Sequence, residues 1–117
     1  MTAHTASTLD VAALRSASDS HAALAAVIDP DIEWVDVTPS RSRSVHRGRD
    51  AIVAMLDGLS ERGIVTAVVD GFAAGDRGAL TVTCTFPDGG VIVTNTLLEL
   101  RDGNISRWFG VESWEDR

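Results

Sequence analysis

Apolar side chains recur along this chain at two spacings, and the change from one to the other divides it. Leu9, Ala12, Ala13 and Ala17 keep helical spacing, with Thr8 placed to cap the start. Ser18-Asp19-Ser20 interrupts that pattern. Ser20 can cap a second short helix carrying Ala22, Ala23, Leu24, Val27 and Ile28. Asp29-Pro30-Asp31 ends it, because the residue before a proline is disfavoured in helix. Ile32 to Val37 alternates and predicts a strand. Thr38 to Ser44 reads as a polar loop, and Val45-His46-Arg47 as a short strand closed by Gly48. Ile52, Val53, Leu56 and Leu59 then mark the clearest helix, over 49–62, stopped at Gly63.

Beyond Gly63 the period becomes two. Strands are predicted over 64–74, 79–86, 91–100 and 105–114, separated by turns at 75–78, 87–90 and 101–104. Asp102-Gly103 is a strong hairpin signal. Helices first and a long antiparallel meander after them imply an α+β fold and not a parallel α/β sheet. Residues 1–7, small and polar, read as a loose tail before a single domain over 8–117.

Composition narrows the class of protein. A length of 117 residues suits one domain, large enough for a core and one modest pocket. Apolar residues make up 44% and the net charge is −7. An acidic surface repels phosphate backbones and anionic lipids, so neither nucleic acid nor membrane is expected as a partner. A single cysteine, Cys84, excludes an internal disulfide and a cysteine-based zinc cluster. No histidine pair has ligand spacing with a carboxylate, so no metal site is expected. The start carries no signal-like apolar run and no stretch is long enough to span a bilayer, which points to the cytoplasm. All ten basic residues are Arg, and Lys and Tyr are absent. Arg-only usage with abundant Ala reads as a high-GC bacterial source.

Three motifs, in order, carry a resemblance. Asp29-Pro30-Asp31-Ile32-Glu33-Trp34 leads into the first strand, His46-Arg47-Gly48-Arg49-Asp50-Ala51-Ile52 joins a strand to the long helix, and Leu98-Glu99-Leu100-Arg101-Asp102-Gly103-Asn104-Ile105 forms a hairpin. Together they resemble the nuclear transport factor 2-like superfamily, over about residues 8–114. The branch most similar is the SnoaL-like one, with polyketide cyclases and relatives of ketosteroid isomerase and limonene epoxide hydrolase. The resemblance implies a cone: a curved sheet wrapped around a long helix, with an apolar pocket at the open end. It does not specify function, because this scaffold hosts both enzymes and binders.

Strand alternation groups Ile32, Trp34 and Asp36; Leu80, Val82, Cys84 and Phe86; Thr94, Thr96, Leu98 and Leu100; and Trp108, Gly110, Glu112 and Trp114. The resemblance implies that these faces line the pocket. Asp36 falls where ketosteroid isomerases carry their general-base aspartate, a chemistry that suits a carboxylate beside apolar walls. The plainer alternative is a strand-end Asp facing solvent. The isomerase's second acid falls on Thr96, and the Tyr of its oxyanion site has no counterpart. Losing such a donor costs on the order of a hundredfold in rate, which argues against a steroid isomerase of the known type. Trp108 matches a tryptophan of the epoxide hydrolases, but their catalytic Asp is Gly110 here. Their neighbouring Arg and Asp fall on Val82 and Cys84, which argues against epoxide hydrolysis.

Two further groups could help Asp36. Glu112 shares a face with Trp108 and Trp114, where its carboxyl could titrate high; alternatively the strand frays there and leaves it solvated. His46 could carry a proton near neutral pH, or belong to a solvated basic stretch with Arg43 and Arg47. His4 and His21 receive no role. Asp70 reads as a solvent-facing break in a Val-rich strand. Trp34, Phe72, Phe86 and Trp108, with Cys84 as a small buried hydrophobe, could wall a site for a small hydrophobic or weakly polar ligand or equally be plain core. Two functions stay open: cofactor-free isomerase- or cyclase-type acid–base chemistry, and non-catalytic binding in the same cavity; a third reading is a dimer that serves only as an interaction module. Leu97, Ile105, Phe109 and Val111, set among charged residues, predict a homodimer through the outer sheet face.

Overall fold

The computed structural model describes residues 8–39 and 43–114; the expected tail 1–7 and part of the loop after Thr38 lie outside them. Two short helices open the chain, α1 (Val11–Ser16) and α2 (Ser20–Ala26). Their caps are Asp10 and Asp19, not Thr8 and Ser20. Asp10 accepts from the Ala13 amide, and Asp19 from the amides of His21 and Ala22. A carboxylate accepts these amides as a hydroxyl would and favours the positive end of the helix.

Six strands follow: β1 (Ile28–Val37), β2 (Ser44–Arg47), then, after helix α3 (Arg49–Glu61), β3 (Val65–Ala74), β4 (Arg77–Thr85), β5 (Val91–Arg101) and β6 (Asn104–Trp114). They form one curved open sheet in the order β2-β1-β6-β5-β4-β3. The meander is antiparallel as expected, and β1 joins it by pairing parallel to β6. That pairing draws Ile28 into a strand, correcting its assignment to the second helix. The Ile105 amide bonds the Val27 carbonyl at 2.7 Å, so the chain is already sheet-bound there. Pro30 is tolerated because the β1–β6 register shifts between Ile28 and Glu33, where no ladder bond requires its missing N–H. Asp29, buried, accepts from the Asp31 amide and faces Arg101 at 3.6 Å.

The Asp102-Gly103 turn has φ of 53° and 81° at its two central residues, the left-handed pair that matches the twist of a two-residue hairpin. Helix α3 lays Ile52 and Leu56 on the concave face of the sheet. There they join Leu24, Ile32, Leu80, Val82, Leu98, Ile105 and Trp108 in one core cluster. Ile105 is fully buried in it. The expectation of an outward Ile105 is therefore corrected: an extra residue on β6, between Arg107↔Glu99 and Ile105↔Leu100, turns Ile105 inward beside Leu100.

Candidate functional site

The concave face is not filled along its whole length. Where β1 and β6 run past the end of the core, between the sheet and α3, they leave a cavity of about 300 Å³. Trp34 and Trp108 form its floor. The parallel β1–β6 register sets them side by side, and their rings stack 3.7 Å apart at 7°. Leu24, Met55, Leu56 and Leu59 wall the helical side, and Ile64, Val82, Phe86 and Ile92 the sheet side. Such a volume lies at the small end of ligand pockets, which run roughly 300–1,000 Å³.

Asp36 stands two residues beyond Trp34 on the same face of β1. Its Oδ2 accepts the Trp34 indole N–H at 2.8 Å and its Oδ1 accepts the Trp108 indole N–H at 2.9 Å. Each carboxylate oxygen thus holds one of the two stacked rings, and the carboxylate is fixed in rotation. Gly110 lies opposite Asp36 in the register. A Cβ there would collide with Asp36 Oδ1 and come within 2.8 Å of Trp108 Nε1. The missing side chain at Gly110 is the room that the bond between Asp36 and Trp108 occupies.

Other polar groups reach the cavity from neighbouring strands. Ser44 and His46 pair with Asp36 and Trp34 across β1–β2 and so face the same way. Glu112 and Thr94 are paired across β5–β6. Burial and the charge of Asp36 hold the Glu112 carboxyl above its ordinary value. Burial likewise raises the Cys84 thiol, opposed by its hydrogen bond with Thr66. Arg62, at the end of α3, contributes a cation to the lining. Among the described residues no group of three or more His, Cys, Asp or Glu is placed to hold a metal, and no helix is long and apolar enough to cross a membrane.

The SnoaL-like domain family matches residues 11–108. The chain belongs to the SnoaL-like family. Solved structures share its fold. An NTF2-like protein of unknown function from Mesorhizobium loti superposes with a TM-score of 0.65 at 24% identity, over 80% of this chain and 78% of that one. A protein from Kribbella flavida described as a "putative ketosteroid isomerase" gives 0.61 at 22%, over 84% and 67%. A Silicibacter pomeroyi protein with a cystatin-like fold gives 0.62 at 18%, over 88% and 72%. At these identities it is the fold that is shared. No curated protein sequence matches the chain.

Within this SnoaL-like domain, Asp36, His46, Glu112, Trp34, Cys84, Phe86 and Trp108 all line the same cavity. Glu112 sits within a formed strand and is half-buried, as is His46. Two expected members stand elsewhere. Phe72 is 64% exposed on the outer face. A bulge at Val69 inserts one unpaired residue between Val68↔Val82 and Asp70↔Thr81, and one extra residue reverses every side chain after it. The same reversal sends Asp70 outward. Thr96 is buried, but its hydroxyl accepts from the Leu80 amide at 3.0 Å and donates to the Leu80 carbonyl at 3.2 Å. It is spent on the strand beside it and does not line the cavity. Thr66, by contrast, does line it, and the Ile64, Thr66, Val68 alternation was the sequence signal for that placement. His21, given no role from the sequence, bonds Thr66 from behind.

Proposed function

We propose that this SnoaL-like domain moves a proton on a small, uncharged or weakly polar ring compound without a cofactor, with Asp36 as the base. The observation that carries the reading is the pair of indole N–H bonds, one to each Asp36 oxygen. Each carboxylate oxygen has two acceptor positions, so one on each stays open while the group cannot turn away. A base held at a fixed angle over an apolar floor meets the geometric requirement for proton abstraction. Glu112 has the complementary property: burial and the Asp36 charge favour its protonated form, which suits the group that returns a proton. His46 is the other titratable neighbour in the lining. Two carboxyls in one cavity with different surroundings are the usual basis for an acid and base assignment.

A second reading, binding without catalysis, draws on the absence of Tyr and on the commitment of Thr96 to Leu80. Deuterium exchange separates the two. 1-Indanone, a two-ring ketone, is incubated with the protein in D2O and its α-proton signal followed by NMR. The catalytic reading expects wild type to speed the loss of that signal and Asp36→Asn to abolish the effect. Binding by thermal shift with no acceleration would leave the binding reading standing.

A further inference from the structure

A line of hydrogen bonds runs from the surface to the cavity through a residue that the mechanism above does not use. His21, second in α2, places Nδ1 2.5 Å from the Ser60 hydroxyl near the end of α3. Its Nε2 lies 2.7 Å from Thr66 Oγ1 on β3. Thr66 is 7% exposed and lines the cavity. Its other side-chain neighbour is Cys84 Sγ, 3.5 Å away.

The proton count along this line has a consequence. A hydroxyl has one proton to give and two lone pairs, and a neutral imidazole has one N–H and one acceptor nitrogen. With the ring proton on Nε2, Ser60 donates to Nδ1 and the ring donates to Thr66. The Thr66 proton is then turned away from His21. The sulfur it meets is a weak acceptor at long range. With the ring proton on Nδ1, Thr66 donates to the ring and presents only lone pairs to the cavity. Ser60 is exposed and can give or accept with water as its second partner, so both arrangements are open to the free protein. A ligand oxygen at Thr66 selects the first, since it replaces a sulfur partner with a strong acceptor.

We propose that the Thr66 hydroxyl is the donor with which the cavity binds the carbonyl oxygen of its ligand, and that His21, backed by Ser60, is the positioning residue that holds Thr66 in its donating orientation. This rests on the reading of the cavity as a ligand site and deepens it by naming the class: ring compounds bearing a carbonyl or an equivalent acceptor, in preference to plain hydrocarbons. It also supplies an oxygen-binding donor to a chain that has no Tyr and whose Thr96 is committed to Leu80.

The test compares binding of 1-indanone and its hydrocarbon counterpart indane by NMR titration of the full chain. Wild type is expected to prefer 1-indanone by the worth of one hydrogen bond, about two- to tenfold. Thr66→Val should erase the preference by weakening 1-indanone alone, while Thr66→Ser keeps it. His21→Ala should lose it too, and His21→Gln, whose amide N–H reaches toward the Nε2 position, should restore it; a merely structural His21 would shift both ligands together. Equal affinity of wild type for the two compounds, or binding of neither, overturns the proposal, as does a preference that survives Thr66→Val. The deuterium-exchange result is independent: if exchange fails while the preference stands, the catalytic reading falls and this one holds.

Discussion

Asp36 and Trp108 are joined across the parallel strands β1 and β6, with the indole N–H donating to Oδ1 at 2.9 Å, while Trp34 occupies the other carboxylate oxygen. Sheet pairing, ring stacking and the proposed base are therefore one unit. Asp36→Asn offers one oxygen and one amide N–H2, so one indole N–H would face another donor. Both indoles are almost fully buried, and an unsatisfied buried donor costs about 1–3 kcal/mol. Asp36→Asn should fold, lose about that much stability in urea denaturation and lose α-proton exchange. An unchanged urea midpoint would show that the two indole bonds contribute little.

Gly110→Ala and Gly58→Ala are the same chemical change with opposite expected signs. At Gly110 the added methyl meets Asp36, Thr94 and Trp108, so the strands must part or Asp36 must release Trp108. Such overpacking costs about 1–3 kcal/mol. At Gly58, inside α3, an added Cβ meets nothing within 4 Å. Alanine there should stabilise by about 0.5–1 kcal/mol, the helix-propensity difference. Thermal melts of the two variants check both signs, and Gly110→Ala should also lose 1-indanone exchange.

How far the fold and the cavity can be read from the chain follows from what periodicity encodes. Alternation reports faces, so it sorts Trp34 with Asp36, Val82 with Cys84 and Trp108 with Glu112 strand by strand; that these faces line one pocket comes from the family resemblance, and the residues do meet in one cavity. Alternation cannot report an inserted residue. Val69 has no compositional mark as a bulge in a Val-rich strand, and that one residue put Phe72 on the wrong face. Nor can it report which partner a hydroxyl chooses: Thr96 has an inward position but bonds Leu80 across the sheet. The contact between His21 and Thr66 spans 45 positions and depends on how α2 lies on β3, which no local pattern contains. Gly110 was legible only as a departure from a family pattern. Its meaning, room for the Asp36 carboxylate, required the β1–β6 register.

Glu112 should make stability depend on pH in a definite direction. Burial first and the Asp36 charge second raise its carboxyl above the ordinary glutamate value of 4.5. Below that value the group is protonated both folded and unfolded, and no penalty arises. As pH rises through it the unfolded chain ionises first, so the raised folded value costs stability, and the cost grows until the folded group has ionised as well. Glu112→Gln should therefore melt higher than wild type at pH 7 and equal to it well below pH 4.5. A variant that melts lower at pH 7 would mean that the Glu112 charge is stabilised in the fold.

The convex face of the sheet carries Leu97, Phe109 and Val111 at 68%, 41% and 49% exposure, brought together because Leu97 pairs with Phe109 and Asn95 with Val111. Beside them Glu33, Arg107, Glu99 and Arg77 form a chain of ion pairs at 3.1 to 4.0 Å across β1, β6, β5 and β4. Pairs this exposed contribute little in water, but they set up an apolar centre next to an ordered charged margin, the usual anatomy of a protein interface. We propose that a second copy of the chain covers this face. A two-fold arrangement would bring Phe109 and Val111 against their own counterparts, so one substitution acts twice. Light scattering should return about twice the chain mass of 12.4 kDa. Phe109→Glu should convert the protein to monomer, because two buried like charges would face each other without partners. Phe72→Ser, a change on the same outer face but on the far edge strand β3, should leave the dimer intact. A wild-type monomer at high micromolar concentration would refute the pairing, and a dimer indifferent to Phe109→Glu would place its interface on another surface.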